Sequence, residues 1–307
     1  MKSSMIIVIL GVAVLAALAA CNTKQEAKNY NDTYNSGTLQ FVSDESFSPI
    51  VDQEVYIFKH DNPEANPQVV YRSEGNAVAM LLADSVRFAF LSRNLTPAEM
   101  SVLAQRNLPA TVNKFAEDAV VIIVNQTSAD TGITVGEIKK MLLGQAKTDK
   151  SIVFDNPNSS LVRYLKELAG VKNFPRKNVY ALKTSKDVIR YVSEHPEAIG
   201  ITGFSWLEDP DKDYADAAGK VKILAVRDEN SKTAPGQYFR PSQSTLALKQ
   251  YPLQRSLYMV NCTGRKGLGT GLELFIAGDK GQRIILRSGL LPVQIPERNI
   301  EIHHSKL

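Results

Sequence analysis

Two cysteines and four histidines are all that 307 residues offer as soft metal ligands or disulfide partners. Cys21 closes an apolar leader and Cys262 stands alone deep in the chain, so neither a disulfide framework nor a cysteine zinc site can be assembled. His60, His195, His303 and His304 form no His-Glu-x-x-His pair. Gly-x-Ser-x-Gly, the nucleophile turn of many hydrolases, is missing. Gly267-Leu268-Gly269-Thr270-Gly271 lacks the G-x-G-x-x-G spacing and the Gly-Lys-Ser/Thr of a phosphate loop, and reads as a flexible turn ahead of a helix at Leu272. These absences argue against an enzyme and leave no reason to expect a metal or a cofactor. Lys and Arg number 36 against 32 Asp and Glu, with no basic run of five, so no nucleic-acid partner is expected. No apolar run reaches the ~20 residues of a spanning helix. What remains is a globular composition, 44% hydrophobic and 22% charged, with material for one large or two ordinary domains.

The chain begins with a charged, apolar and small region in that order. Lys2 is followed by an unbroken apolar or small run from Met5 to Ala20, ending Leu18-Ala19-Ala20-Cys21. The ending resembles a bacterial lipobox. The resemblance implies a signal peptide over 1–20, cleavage before Cys21 and acylation of Cys21, with more than one chain as stable anchoring requires. Residues 21–37 are polar and read as a lipidated flexible tether to a membrane, which places the body outside the cytoplasm. Cys262 reads as a small buried residue near a strand end.

Beyond the tether, strand-like and helix-like stretches alternate. Strands are expected at Leu39–Ser43, Gln68–Ser73, Val86–Ser92, Val120–Asn125, Ser151–Phe154, Asn178–Leu182, Ile199–Phe204, Val221–Val226 and Ser256–Asn261. Ser48-Pro49, Thr96-Pro97-Ala98-Glu99 and Thr134-Val135-Gly136-Glu137 are helix starts, and Gly144 and Gly170 are helix stops. Such alternation predicts an α/β protein. Four strand-to-helix junctions carry hydroxyls or free N–H groups: Ser43–Ser48, Ser73–Asn76, Ser92–Asn94 and Asp155–Ser160. Each alone is ordinary helix capping; together they suggest a neutral receptor for an anion at helix starts.

The motifs Ala198-Ile199-Gly200-Ile201-Thr202-Gly203, Tyr251-Pro252-Leu253-Gln254-Arg255-Ser256-Leu257-Tyr258 and Gly281-Gln282-Arg283-Ile284-Ile285, followed by Gly289-Leu290-Leu291-Pro292-Val293, come in a particular order and spacing. In these the chain resembles the substrate-binding lipoproteins of phosphate ABC transporters, from about Leu39 to Val293. The resemblance implies a two-lobed periplasmic-binding-protein type II fold, two α/β lobes joined by two chain crossings, closing by hinge motion around a ligand. The lobes expected are 38–118 plus 263–307, and 119–262, with the crossings at Ala119–Asn125 and near Ser256–Cys262. The implied function is capture of a small oxyanion, phosphate first, for an ABC permease. The alternative is a sensing or scaffold lipoprotein of the cell envelope on the same fold. A monomer is expected.

The resemblance also implies site residues. Ser46 and Phe47 match the first anion loop, Ser73 the second, and Asn158, Ser159 and Ser160 a Ser-Gly-Thr loop. An arginine of the family falls at Phe154 and a proton-accepting aspartate at Ser92. Arg93 is then the candidate for positive charge, its other reading being a surface arginine beside the Thr96 capping box. Asp44, Glu45, Glu74 and Asp155 either accept a ligand's proton or complement helix dipoles.

Overall fold

The computed structural model describes residues 32–146, 150–175, 178–232 and 234–296. The signal peptide, Cys21, most of the tether, His303 and His304 lie outside these residues.

The first part of the chain alternates strictly. Strand β1 (Gly37–Asp44) leads through a single 3-10 turn (Glu45–Phe47) into α1 (Ser48–Asp61). Then come β2 (Ala65–Arg72), α2 (Glu74–Leu82), β3 (Phe88–Leu91) and α3 (Pro97–Gln105). β1 pairs in parallel with β2 and with β3. Side chains along a strand face opposite ways in turn, and the two faces carry different residues. Phe41, Phe88 and Phe90 point one way and pack edge to face on one another, Phe41–Phe88 at 5.8 Å, and Phe90 meets Phe115 at 5.6 Å. The next residues along, Val42, Ala89 and Leu91, point the other way onto Val78, Leu81 and Leu103 of α2 and α3. This sheet is therefore covered on both sides.

The next strand joins the lobes. β4 (Thr111–Asn125) is 15 residues long. Its Thr111–Ala119 half pairs antiparallel with β11 (Gln254–Asn261), which also pairs β3. Its Val120–Val124 half pairs antiparallel with β8 (Ala198–Gly203) in the second lobe. That lobe holds β5 (Gly132–Thr134), α4 (Val135–Leu142), β6 (Ser151–Phe154), α5 (Ser160–Ala169), β7 (Val179–Ala181) and α6 (Ser185–Glu194) before β8. After β8 come α7 (Ser205–Glu208), α8 (Ala215–Ala218), β9 (Val221–Ile223), β10 (Ala225–Arg227) and α9 (Gln243–Ala247). Its strands run β4-β8-β6-β7, over a core that includes Ile123, Leu161, Leu165, Val188 and Trp206. The two-lobed α/β fold is thus the one the motifs imply. The chain leaves the first lobe within β4 and comes back at Leu253, whose carbonyl accepts from Val120 N–H at 2.8 Å.

The first lobe is completed by α10 (Leu268–Ala277), α11 (Asp279–Arg287) and β12 (Leu291–Pro292). The glycine-rich run does not precede a helix at Leu272; it is the first turn of α10. Asp32 explains the difference. Its carboxylate accepts from Leu268 N–H at 2.8 Å and pairs with Arg265, so the chain's own acid supplies the cap. Gly271 has no side chain because the Tyr34 carbonyl lies where a Cβ would stand, 1.8 Å from it.

The capping boxes at Thr96 and Thr134 are both formed. At Ser48-Pro49 the proline sits in the first turn as expected, but Ser48 is already helical and makes no cap; Asp44 caps the preceding turn instead, accepting from Ser46 N–H. Among the described residues no helix is long and apolar enough to cross a membrane.

Candidate functional site

The ends of β1 and β3 and the starts of α2 and α5 meet at the seam between the lobes, the place where open α/β folds bind ligands. Two clusters of polar groups are built there.

The inner cluster is fully buried. Ser46 Oγ and Ser160 Oγ, from opposite lobes, lie 2.7 Å apart. Arg255 Nη1 donates to both, at 2.9 and 3.1 Å. Its Nη2 donates to the Ser46 carbonyl at 3.2 Å, and Trp206 Nε1 donates to the same carbonyl at 2.9 Å. Arg255 is held from behind by Asp118, with Nε to Oδ2 at 2.8 Å and Nη2 to Oδ2 at 2.7 Å. Its guanidinium also lies 5.6 Å from the Phe47 ring centre. Asp44 takes donors from both lobes: Ser46 N–H at 2.8 Å, Ser160 Oγ at 3.0 Å and Ser160 N–H at 3.1 Å. Burial, with the Glu74 charge second, pushes the Asp44 carboxyl above the usual range. Asp155 lies beside this cluster and accepts from Ser159 Oγ at 2.5 Å. Burial raises its pKa to about 7.

The outer cluster is centred on Glu74. Its Oε1 accepts from Ser92 N–H and Ser92 Oγ, both at 3.0 Å. Arg163, on α5 of the other lobe, donates from Nε to Glu74 Oε2 at 2.5 Å and from Nη2 to Ser92 Oγ at 2.9 Å. Burial opposes the charge of Arg163, yet Glu74 and Glu167 together outweigh it and the guanidinium pKa is raised. Arg93 is turned mainly to Glu99 of the Thr96 capping box, both bonds at 2.8 Å, with Glu74 at 3.7 Å. Outside this cluster a pocket of about 740 Å³ opens between the lobes, lined by Arg93, Asn158 and Ser159 among others.

The structure therefore brings Ser46, Phe47, Ser159 and Ser160 together at the inner cluster and Ser92 and Arg93 at the outer one, with Asn158 on the pocket wall. Ser73 is set apart: it begins α2, but its Oγ is buried and makes no hydrogen bond. Phe154, where the family's arginine falls, packs in the second-lobe core and near Phe174, ring centres 5.5 Å apart. The two arginines that reach furthest into the seam were missed in the sequence. Arg255 stands inside the Tyr251–Tyr258 motif, where the strand pattern gives no sign of a charge turned to the seam. Arg163 lies one turn after Ser160 on the same helix face, and that spacing was a usable signal. Among the described residues no group of three or more His, Cys, Asp or Glu could hold a metal ion.

Comparison with known proteins adds a family. The PBP superfamily domain matches residues 28–277. The phosphate-binding protein PstS of Staphylococcus aureus (strain USA300) is 25% identical over 288 residues, 89% of this chain and 83% of that one. Among solved structures, one from Clostridium perfringens with bound phosphate, assigned as a phosphate ABC transporter substrate-binding protein, superposes with a TM-score of 0.69 at 17% identity, covering 84% of this chain and 100% of that one. An ABC-type phosphate transport receptor from Vibrio cholerae superposes with a TM-score of 0.62 at 17% identity, covering 83% and 100%. At these identities the two structures speak for the fold.

Proposed function

Given that the chain belongs to the PBP superfamily, we propose that it is an extracytoplasmic solute-binding lipoprotein, not an enzyme, that captures phosphate at the lobe seam for an ABC permease. The observation that carries this reading is the Ser46–Ser160 pair. Two hydroxyls from opposite lobes, 2.7 Å apart and sharing one guanidinium, form a receptor that needs both lobes. The name of the Staphylococcus aureus relative supports phosphate as the anion. Ser46, Phe47, Ser92, Arg93, Asn158, Ser159 and Ser160 line the site in this reading, Ser73 stands behind it, and Arg255 and Arg163 provide charge. Asp44, which accepts donors from both lobes, receives the O–H of a protonated phosphate, which sulfate lacks near neutral pH. In this reading the second lobe closes near Leu253, supported by the pairing of β11 with β3 along Tyr258–Asn261.

Cys21 carries the lipid anchor in this proposal, and the body works as a monomer. A Cys21→Ala protein should lose its acyl mass and leave the membrane fraction; unchanged fractionation would refute the anchor.

Calorimetry of the soluble body with phosphate and with sulfate tests the ligand. Micromolar phosphate binding, about −8.2 kcal/mol, is expected, with a change in emission of Trp206, the single tryptophan, which touches Ser46. The sensor or scaffold reading is favoured by a separate observation: Asp44 and Glu74 already hold donors that an anion would use. It expects no phosphate binding at millimolar concentration.

A further inference from the structure

The pocket outside Glu74 is larger and more basic than one phosphate requires. Its volume, about 740 Å³, is in the range of sites that take small organic molecules. One phosphorus and four oxygens occupy a minor part of such a space. The walls carry four cations, Arg93, Arg163, Lys166 and Lys172, against two carboxylates, Glu74 and Glu167. The two arginines are already engaged by acids, Arg93 by Glu99 and Arg163 by Glu74 and Glu167. Lys166 and Lys172 have no acidic partner among the described residues, so their charge is available to a ligand.

The fold puts these lysines where they can act together. Lys166 is one turn beyond Arg163 on α5, on the same side of the helix. At Gly170 the backbone turns left-handed, φ 70°, and ends α5, and Val171 and Lys172 line the pocket just beyond that end, a helix length away from Ser159. The carbonyl end of α5 favours a cation in the last turn, which is where Lys166 stands. The near wall is Ser159 and Arg163, continuous with the inner cluster. The pocket thus has two basic ends.

We propose that the seam takes a phosphate that bears a second anionic group, such as a diphosphate or a phosphorylated carboxylic acid, with one end at Ser159 and Arg163 and the other at Lys166 and Lys172. This rests on the reading that the seam binds an oxyanion and names the class of that anion. Two-ended recognition makes the second charge a source of affinity, where a single phosphate leaves the lysines solvated.

Calorimetry at fixed ionic strength would compare inorganic phosphate, pyrophosphate, phosphoglycerate and citrate, in the wild type and in Lys166→Ala/Lys172→Ala. At least one of pyrophosphate and phosphoglycerate should bind roughly tenfold tighter than inorganic phosphate, about 1.4 kcal/mol, and which one does so separates the two sources of the second charge. Citrate, a polyanion without phosphorus, should not compete. In the double variant the advantage over inorganic phosphate should fall to about one. Phosphate bound as tightly as either larger anion, an advantage that survives the double substitution, or equal binding of citrate would overturn the inference while leaving phosphate capture standing. Absence of binding by every anion would overturn both.

Discussion

Asp44 and Ser160 are joined by two hydrogen bonds across the lobe seam, from Ser160 N–H to Oδ2 at 3.1 Å and from Ser160 Oγ to Oδ1 at 3.0 Å. A carboxylate is an acceptor only, and here every bond it makes comes from a donor of the seam. Asn in its place turns an amide N–H₂ toward one of those donors. A buried donor left without a partner costs about 1–3 kcal/mol. Asp44→Asn should therefore melt several degrees lower than the wild type in a thermal scan. It should also lose discrimination between phosphate and sulfate in calorimetry, since no carboxylate then remains at that position to receive a ligand proton. A variant that keeps both melting temperature and selectivity would remove Asp44 from the site.

The Arg255–Asp118 pair has a different energetic character. The two side chains are 2% and 0% exposed, so neither charge is solvated. Removing one partner from a buried pair leaves the other uncompensated, at a cost of about 3–5 kcal/mol, whereas replacing both by apolar groups is often close to neutral. Arg255→Met should lower the urea midpoint strongly, and Arg255→Met/Asp118→Leu should recover part of the loss. If the double variant is less stable than the single one, the ion pair is not the main contribution of Arg255.

The α/β alternation was legible in the sequence because it rests on local signals, whereas the two lobes followed only from the resemblance of the later motifs. Alternating Phe41/Val42 and Phe88/Ala89/Phe90/Leu91 mark strands buried on both faces, and the Thr96 and Thr134 boxes mark helix starts. The Thr111–Ala119 half of β4 was not legible, since its burial is irregular, with Thr111, Asn113 and Lys114 exposed, and the polar residues mask the period. The site was half legible. Serines at helix starts are local features. That Asp44 reaches Ser160, or Arg163 reaches Glu74, depends on how two lobes close, and no periodicity reports that. Arg93 follows a strand end, as a ligand-facing cation would, but the capping box beside it supplies Glu99, which takes its guanidinium.

Glu54 gives the molecule a pH dependence independent of any ligand. It lies on α1, fully buried, and neither carboxylate oxygen has a hydrogen-bond partner. Burial alone raises its pKa from 4.5 to about 9. A raised acid pKa contributes stability that is fully present below the unfolded value and lost as pH rises through the folded value. The wild type should thus lose stability steadily from about pH 5 to about pH 9. Glu54→Met has no proton to lose and fills a similar volume. Its advantage in urea midpoint over the wild type should grow with pH across that range. A difference that is constant with pH would mean that Glu54 is not held neutral in the folded protein.

The two arginines of the outer cluster should contribute unequally to anion binding. Arg163 reaches across the seam, donating from Nε to Glu74 at 2.5 Å and from Nη2 to Ser92 Oγ at 2.9 Å, while its Nη1 pairs with Glu167 at 2.9 Å. Arg93 spends both bonds of its guanidinium face on Glu99, which the Thr96 cap holds in place, and it touches the cluster only through Glu74 at 3.7 Å. Both arginines are paired with carboxylates, but the Nη2 of Arg163 also meets the Ser92 hydroxyl inside the seam, so position rather than unpaired charge gives it the larger share. Arg163→Ala should therefore weaken phosphate binding by roughly tenfold or more, about 1.4 kcal/mol. Arg93→Ala should weaken it by less, and should lower the melting temperature slightly because Glu99 loses its partner; the pKa of Glu99, now held down to about 2 chiefly by Arg93, should rise. Titration of phosphate into both variants orders them directly. A larger loss in Arg93→Ala than in Arg163→Ala would mean that Arg93 leaves Glu99 when the anion binds, and the charge at the seam would then have to be reassigned to it.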